Sequence, residues 1–254
     1  MEEKKILIDN LKINYKIAGS GPAILILHGW GSNSEKWQKV GDLLVKKGLK
    51  VIIPDLPGFG SSQKPPEVWG LDDYCKFLQE FVGFLNLEKF CLLGHSFGGA
   101  LAVKYALAFS EKIDKLFLIN AACFRRKALR KRLFYIIAKV LKIFSFFPYY
   151  PYIRKGFYKF IVRKSDYLYA DGVMKDIYLK IIREDLGNIL EQIQVPTIII
   201  WGREDKIKRL KEARLINEKV KNSKLEIIPN IGHSPHLEAP EKLSEIIIKF
   251  LRGA

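Results

Sequence analysis

Gly94-His95-Ser96-Phe97-Gly98-Gly99 follows directly on an apolar run at 90–93 and leads into a helix-patterned stretch at 97–109. The serine therefore sits where a buried strand turns sharply into a helix. This is the G-x-S-x-G nucleophile elbow, in which small neighbours let strand and helix approach closely while the hydroxyl stands clear. The N–H of Phe97 would point at the reacting centre, and the helix that starts there favours developing negative charge. Read this way, Ser96 is a candidate nucleophile.

Outward from the elbow, short apolar runs alternate with helical patterns. Residues 5–8 and 11–15 read as a hairpin with Asp9-Asn10 at its bend. Residues 23–27, 51–54, 115–120, 197–201 and 225–228 read as further strands. Helices are expected at about 34–47, 71–85, 210–220 and 241–252. Continuous apolar strands separated by helices predict an α/β fold: a mostly parallel eight-stranded sheet with helices on both faces. Residues 121–194 break the rhythm. A helical cap is expected there, inserted after the sixth strand, so that 1–122 and 195–254 form the core and 123–194 the cap.

Three other loops carry chemistry. His28-Gly29-Trp30-Gly31 follows the strand at 23–27 and is suited to an oxyanion hole, with Trp30 and Phe97 donating backbone N–H groups to the developing charge. His28 itself is expected to be structural. Gly232-His233-Ser234-Pro235-His236 supplies a general base. The chain has 4 histidines; His95 is expected to point away from the nucleophile, and His233 is preferred to His236, which is assigned to the pocket wall. Asp205, in Trp201-Gly202-Arg203-Glu204-Asp205, can hold the imidazole in the required tautomer. Glu204 stands beside it as an alternative. No acid follows the strand that ends at Asn120.

Composition limits the remaining choices. Hydrophobic residues make up 48% of the 254, enough for a large core, and the chain carries a formal charge of +16. The excess is local: 124–185 hold 16 Lys/Arg against 5 Asp/Glu, and 15 aromatic residues. Residues 125–147 read as a basic amphipathic helix, open to weak association with anionic lipid surfaces. Tyr149 and Tyr150, between Pro148 and Pro151, form a rigid aromatic turn expected to line the substrate pocket. No nucleic-acid-binding fold surrounds these residues, so nucleic acid is not expected as a partner. The 3 cysteines, Cys75, Cys91 and Cys123, form no disulfide or metal spacing. The start of the chain has no secretory pattern, so a cytoplasmic protein is expected. No cofactor or metal is expected, and a homodimer is compatible with the composition.

Together, HGWG (28–31), DLPGFGSS (55–62), GHSFGG (94–99), WGRED (201–205) and GHSPHLEAPEKL (232–243) resemble the α/β-hydrolase superfamily over essentially the whole chain. The similarity is strongest to its small, cap-bearing branch of carboxylesterases, meta-cleavage-product hydrolases, haloperoxidase-like proteins and lactonases. The resemblance implies Ser96 as nucleophile, Asp205 as acid, His233 as base, and Trp30 with Phe97 as oxyanion hole. Serine at the elbow argues against the branches that use aspartate there. Lys206-Ile207-Lys208-Arg209 departs from the small apolar residues and proline often found after the acid. The expected activity is hydrolysis of small to medium hydrophobic esters through an acyl-enzyme. Carbon–carbon bond hydrolysis and lactone hydrolysis are the alternatives, and a non-catalytic receptor on the same fold is the different-class alternative.

Overall fold

The computed structural model describes residues 1–125 and 172–253. One eight-stranded sheet runs through the molecule in the order β1-β2-β4-β3-β5-β6-β7-β8. Its strands are β1 (Glu2–Ile8), β2 (Leu11–Ala18), β3 (Ala23–Leu27), β4 (Lys50–Pro54), β5 (Phe90–His95), β6 (Ile113–Ile119), β7 (Thr197–Gly202) and β8 (Ser223–Ile228). β2 pairs antiparallel with both β1 and β4, and every other pairing is parallel. The β1–β2 hairpin turns on Asp9 and Asn10, both at positive φ (45° and 63°). That is the two-residue turn whose twist matches the flanking strands.

The helices are α1 (Gln38–Val45), α2 (Leu71–Phe84), α3 (Phe97–Ala108), α4 (Val173–Ile181), α5 (Leu210–Lys219), α6 (Pro235–Glu238) and α7 (Pro240–Leu251). Side chains alternate across the pleat, so neighbouring residues of one strand enter different cores. Ile24 and Ile26 of β3 meet Val40 and Leu44 of α1 and Leu243, Ile247 and Phe250 of α7. Leu25 and Leu27 face the opposite way, toward Phe81 of α2 and Leu101 of α3. The central strands are apolar along their whole length because both faces are covered.

Several elements differ from the sequence expectation, among them β2, which runs on to Ala18, and the short helix α6, which is not among those expected. The stretch from 34 is a 3-10 turn, Glu35–Trp37, before α1 begins; Trp37 (φ −103°, ψ −3°) departs from α geometry and is fully buried. β1 starts at Glu2 instead of residue 5, because its first four residues are exposed and carry no apolar signal.

The stems of the segment between β6 and β7 are tied together. The Leu186 N–H donates to the Cys123 carbonyl at 2.8 Å. The Asp185 carboxylate accepts the Arg125 N–H at 3.0 Å and the Gly187 N–H at 2.9 Å. α4 and the turn after it are also fixed to the core: the Lys180 ammonium of α4 reaches the Val68 carbonyl at 3.1 Å, and Glu184, just past the helix, accepts the N–H of Leu71 at 2.9 Å. Tyr149, Tyr150 and the basic stretch 126–147 lie outside the described residues.

Candidate active site

Ser96 joins β5 to α3 with φ 51° and ψ −111°, a strained conformation for a residue with a side chain. It persists because the turn is locked from both sides. A Cβ on Gly98 would collide with the carbonyl oxygen of Leu27, and one on Gly94 with that of Gly98. Strand and helix are thus closer than any larger residue permits, and the hydroxyl is held out at the end of the sheet.

The other two members of the expected triad arrive from loops at the same end. His233 Nε2 lies 3.1 Å from Ser96 Oγ, and His233 Nδ1 lies 2.7 Å from Asp205 Oδ2. With Nδ1–H donated to the carboxylate, Nε2 is free to accept the serine proton. Asp205 is buried, whereas Glu204 is exposed, so the neighbouring alternative does not enter the site. Burial opposes ionisation of Asp205. The bond and charge of His233, the Lys208 N–H and the Asn120 amide outweigh it and hold the carboxyl below the usual range.

Asn120 has no local sequence signal for this role. It stands at the end of β6, fully buried, with φ 44°. Its Nδ2 donates to Asp205 Oδ2 at 2.5 Å, the same oxygen that receives His233. The amide therefore shares that oxygen with the imidazole and helps to fix the carboxylate in place.

The loop after β3 lies against the elbow. A Cβ on Gly29 would stand 3.3 Å from Ser96 Cβ, and the rings of Trp30 and Phe97 meet edge-on at 5.6 Å. Phe97 is the first residue of its helix, where the N–H has no partner within the helix. Among the described residues no bond takes up the N–H of Trp30 or Phe97. The loop is pinned from behind. His28 Nε2 accepts the Leu56 N–H at 2.9 Å, which leaves the proton on Nδ1 to donate to the Gly29 carbonyl at 2.8 Å. Asp55 accepts the N–H groups of Ser34 at 2.6 Å and Ser61 at 2.8 Å, and the Asn14 amide at 3.0 Å. His28 is thus a buried structural imidazole.

His236 lies away from the position expected for it. α6 begins at Pro235, and its first turn carries His236 inward, to 3% exposure. There its ring stacks flat on Trp37 at 4.2 Å and approaches His95 at 4.8 Å. It supports the base loop from below and does not line the substrate side. His95 turns away from the nucleophile, and its Nε2–H donates to the His233 carbonyl at 2.8 Å. The three thiols are buried, which pushes Cys75 up to about 11 and Cys91 and Cys123 to about 12. None offers a competing nucleophile at neutral pH. Among the described residues no cluster of His, Cys, Asp or Glu could hold a metal, and no helix is long and apolar enough to cross a membrane.

A hydroxyl on a strained elbow, an imidazole within reach of it and a buried carboxylate behind the imidazole form an arrangement capable of nucleophilic acyl transfer. Comparison with known proteins agrees with the fold. Residues 22–139 match the family model for the alpha/beta hydrolase fold. The chain is 30% identical to the AB hydrolase superfamily protein YisY of Bacillus subtilis, over 91% of this chain and 92% of that one. It is 27% identical to the monoacylglycerol lipase ABHD6 of Homo sapiens, over 92% and 76%. An esterase from Exiguobacterium antarcticum superposes with a TM-score of 0.75 at 25% identity, covering 97% of each chain. The chain belongs to the α/β hydrolase superfamily.

Proposed function

We propose that this protein is a carboxylic ester hydrolase that acts on small to medium hydrophobic acyl groups through an acyl-enzyme on Ser96. The observation that carries the reading is the continuous relay from Ser96 Oγ through both nitrogens of His233 to Asp205, at 3.1 and 2.7 Å. His233 takes the Ser96 proton as Oγ attacks the ester carbonyl. The N–H groups of Trp30 and Phe97 receive the oxyanion, at roughly 10²–10³-fold in rate per donor. His233 then returns the proton to the leaving alcohol. In the second half, water gives its proton to the same nitrogen and attacks the acyl-enzyme, and His233 passes that proton to Ser96 Oγ as the acid leaves.

Aromatic rings beside the elbow support a hydrophobic acyl group. Trp30 packs on Phe59 at 4.9 Å, on Phe97 at 5.6 Å and on Tyr178 of α4 at 5.1 Å. Tyr178 joins this wall from the cap and had no distinguishing sequence signal among the many aromatic residues there. The wall offers a large apolar surface close to the reacting carbonyl. A p-nitrophenyl ester series from acetyl to dodecanoyl, run beside a vinylogous diketone, tests the assignment. Turnover of the shorter esters supports it; cleavage of the diketone without ester turnover would reject it.

Trp30→Ala keeps the backbone donor and removes the ring. It is expected to move acyl preference toward longer chains, changing the ratio of kcat/KM between long and short esters by about tenfold, the scale of one or two methylenes in a hydrophobic pocket. An unchanged profile would mean that the acyl group lies elsewhere.

A further inference from the structure

Glu238 ends the four-residue helix α6 and is exposed, yet its carboxylate is fully engaged. The side chain folds back over the base loop. Oε2 accepts the N–H of Gly232 at 2.7 Å, and Oε1 accepts the N–H of Ser234 at 3.0 Å. These are the two amides that flank His233. The carbonyl of His233 is held separately by the Nε2–H of His95, at 2.8 Å. His95 is buried one residue before the nucleophile, so the base loop is fastened directly to the elbow.

Three consecutive residues, Gly232 to Ser234, are therefore gripped on both sides by groups outside the relay. Two of the three bonds use a charged acceptor, which makes them stronger than neutral ones. Neither Glu238 nor His95 bonds to Ser96 Oγ or to Asp205 among the described residues. Whatever they contribute to rate must pass through the place of the His233 ring. That place is demanding, because the imidazole has to satisfy Ser96 and Asp205 together, and a shift of about 1 Å can cost on the order of 10²-fold.

We infer that Glu238 and His95 are positioning residues for the catalytic base, holding the Gly232–His233–Ser234 backbone so that the imidazole spans Ser96 and Asp205. This rests on the serine-hydrolase reading of the site. A fluorophosphonate probe, which reacts with a base-activated serine, separates the two claims. Wild-type protein is labelled at Ser96; no labelling would overturn the hydrolase reading and this inference with it.

With labelling established, Glu238→Ala is expected to slow both labelling and ester kcat by about 10–100-fold with KM little changed. Glu238→Gln keeps one acceptor oxygen and is expected to fall between Ala and wild type. In a His233→Ala background the Glu238→Ala change is expected to have no further effect on labelling, because its route to the chemistry is already gone. A separate structural role would instead add to the loss. Equal labelling of folded Glu238→Ala and wild type, or a further drop in the His233→Ala background, would overturn the inference. Should Glu238→Ala not fold, Glu238→Asp carries the same comparison, since its shorter carboxylate cannot reach both amides.

Discussion

Ser96→Ala is expected to lower ester turnover by about 10⁶-fold while leaving the fold intact. Loss of the nucleophile removes the covalent path altogether, and what remains is the small acceleration from oxyanion donors and binding. No second nucleophile stands ready, because the three thiols are buried and protonated. The hydroxyl bonds only His233 among the described residues, and alanine accepts the same strained backbone as poorly as serine does. The variant is therefore expected to unfold in urea at or above the wild-type midpoint, as catalytic sites commonly hold stability in reserve. Turnover is measured with the preferred p-nitrophenyl ester. Residual activity above about one part in 10³ in pure Ser96→Ala would mean that another group carries the reaction.

The second large effect is on stability in acid. Three imidazoles are kept neutral by the fold. Burial pushes His28 down to about 4, with its bond to the Gly29 carbonyl working the other way. Burial, reinforced by the fields of His233 and His28, pushes His236 to about 3. Burial and the neighbouring His236 and His233 hold His95 well below the ordinary imidazole range. As pH falls below about 6.5, the unfolded chain takes up these protons while the folded chain cannot. Their stabilisation is therefore complete above that pH and is lost on the way down toward 4.

Each group contributes a slope of about 1.4 kcal/mol per pH unit, so three together give about 4 kcal/mol per unit. Between pH 6.5 and 5 that comes to about 5 kcal/mol, since the slope is only half developed at 6.5, and this is comparable to the whole stability of many domains. Asp55 and Asp205, both held below the usual carboxylate range, add to the loss at lower pH still. Urea midpoints measured from pH 7.5 to 4.5 check this. His236→Phe keeps a ring on Trp37 without the proton site and should flatten the acid limb by about one third. Midpoints unchanged between pH 7 and 5 would reject the account.

What the sequence shows and what it hides follow from the range of the interactions. The buried strands are legible because apolar runs bounded by glycine or proline reflect a local requirement. The elbow is legible because Gly94 and Gly98 are demanded by backbone contact within a few residues. Ser96, Asp205 and His233 follow from loops that must all open at one end of a parallel sheet. Asn120 is different: its grip on Asp205 joins residues 85 apart in the chain, and an asparagine after a strand carries no mark of its partner. His236 was hidden for a similar reason. Its direction is set by the short helix at Pro235 and by a stacking partner, Trp37, nearly two hundred positions away. The double acceptor role of Glu238 was equally unreadable, since an exposed glutamate ordinarily meets only water.

The paired stems between β6 and β7 have an evolutionary consequence. The chain leaves the core at 123–125 and returns at 185–187, and those two points are bonded to each other. Whatever lies between is a closed excursion, so changing its length alters loop-closure entropy only logarithmically. A lineage could vary the stretch ahead of α4 in length without displacing a strand, provided that Met174 and Ile177 keep their places in the core. Such change can thus accumulate between fixed anchor points while the strands stay put, as in a tool with one handle and interchangeable heads.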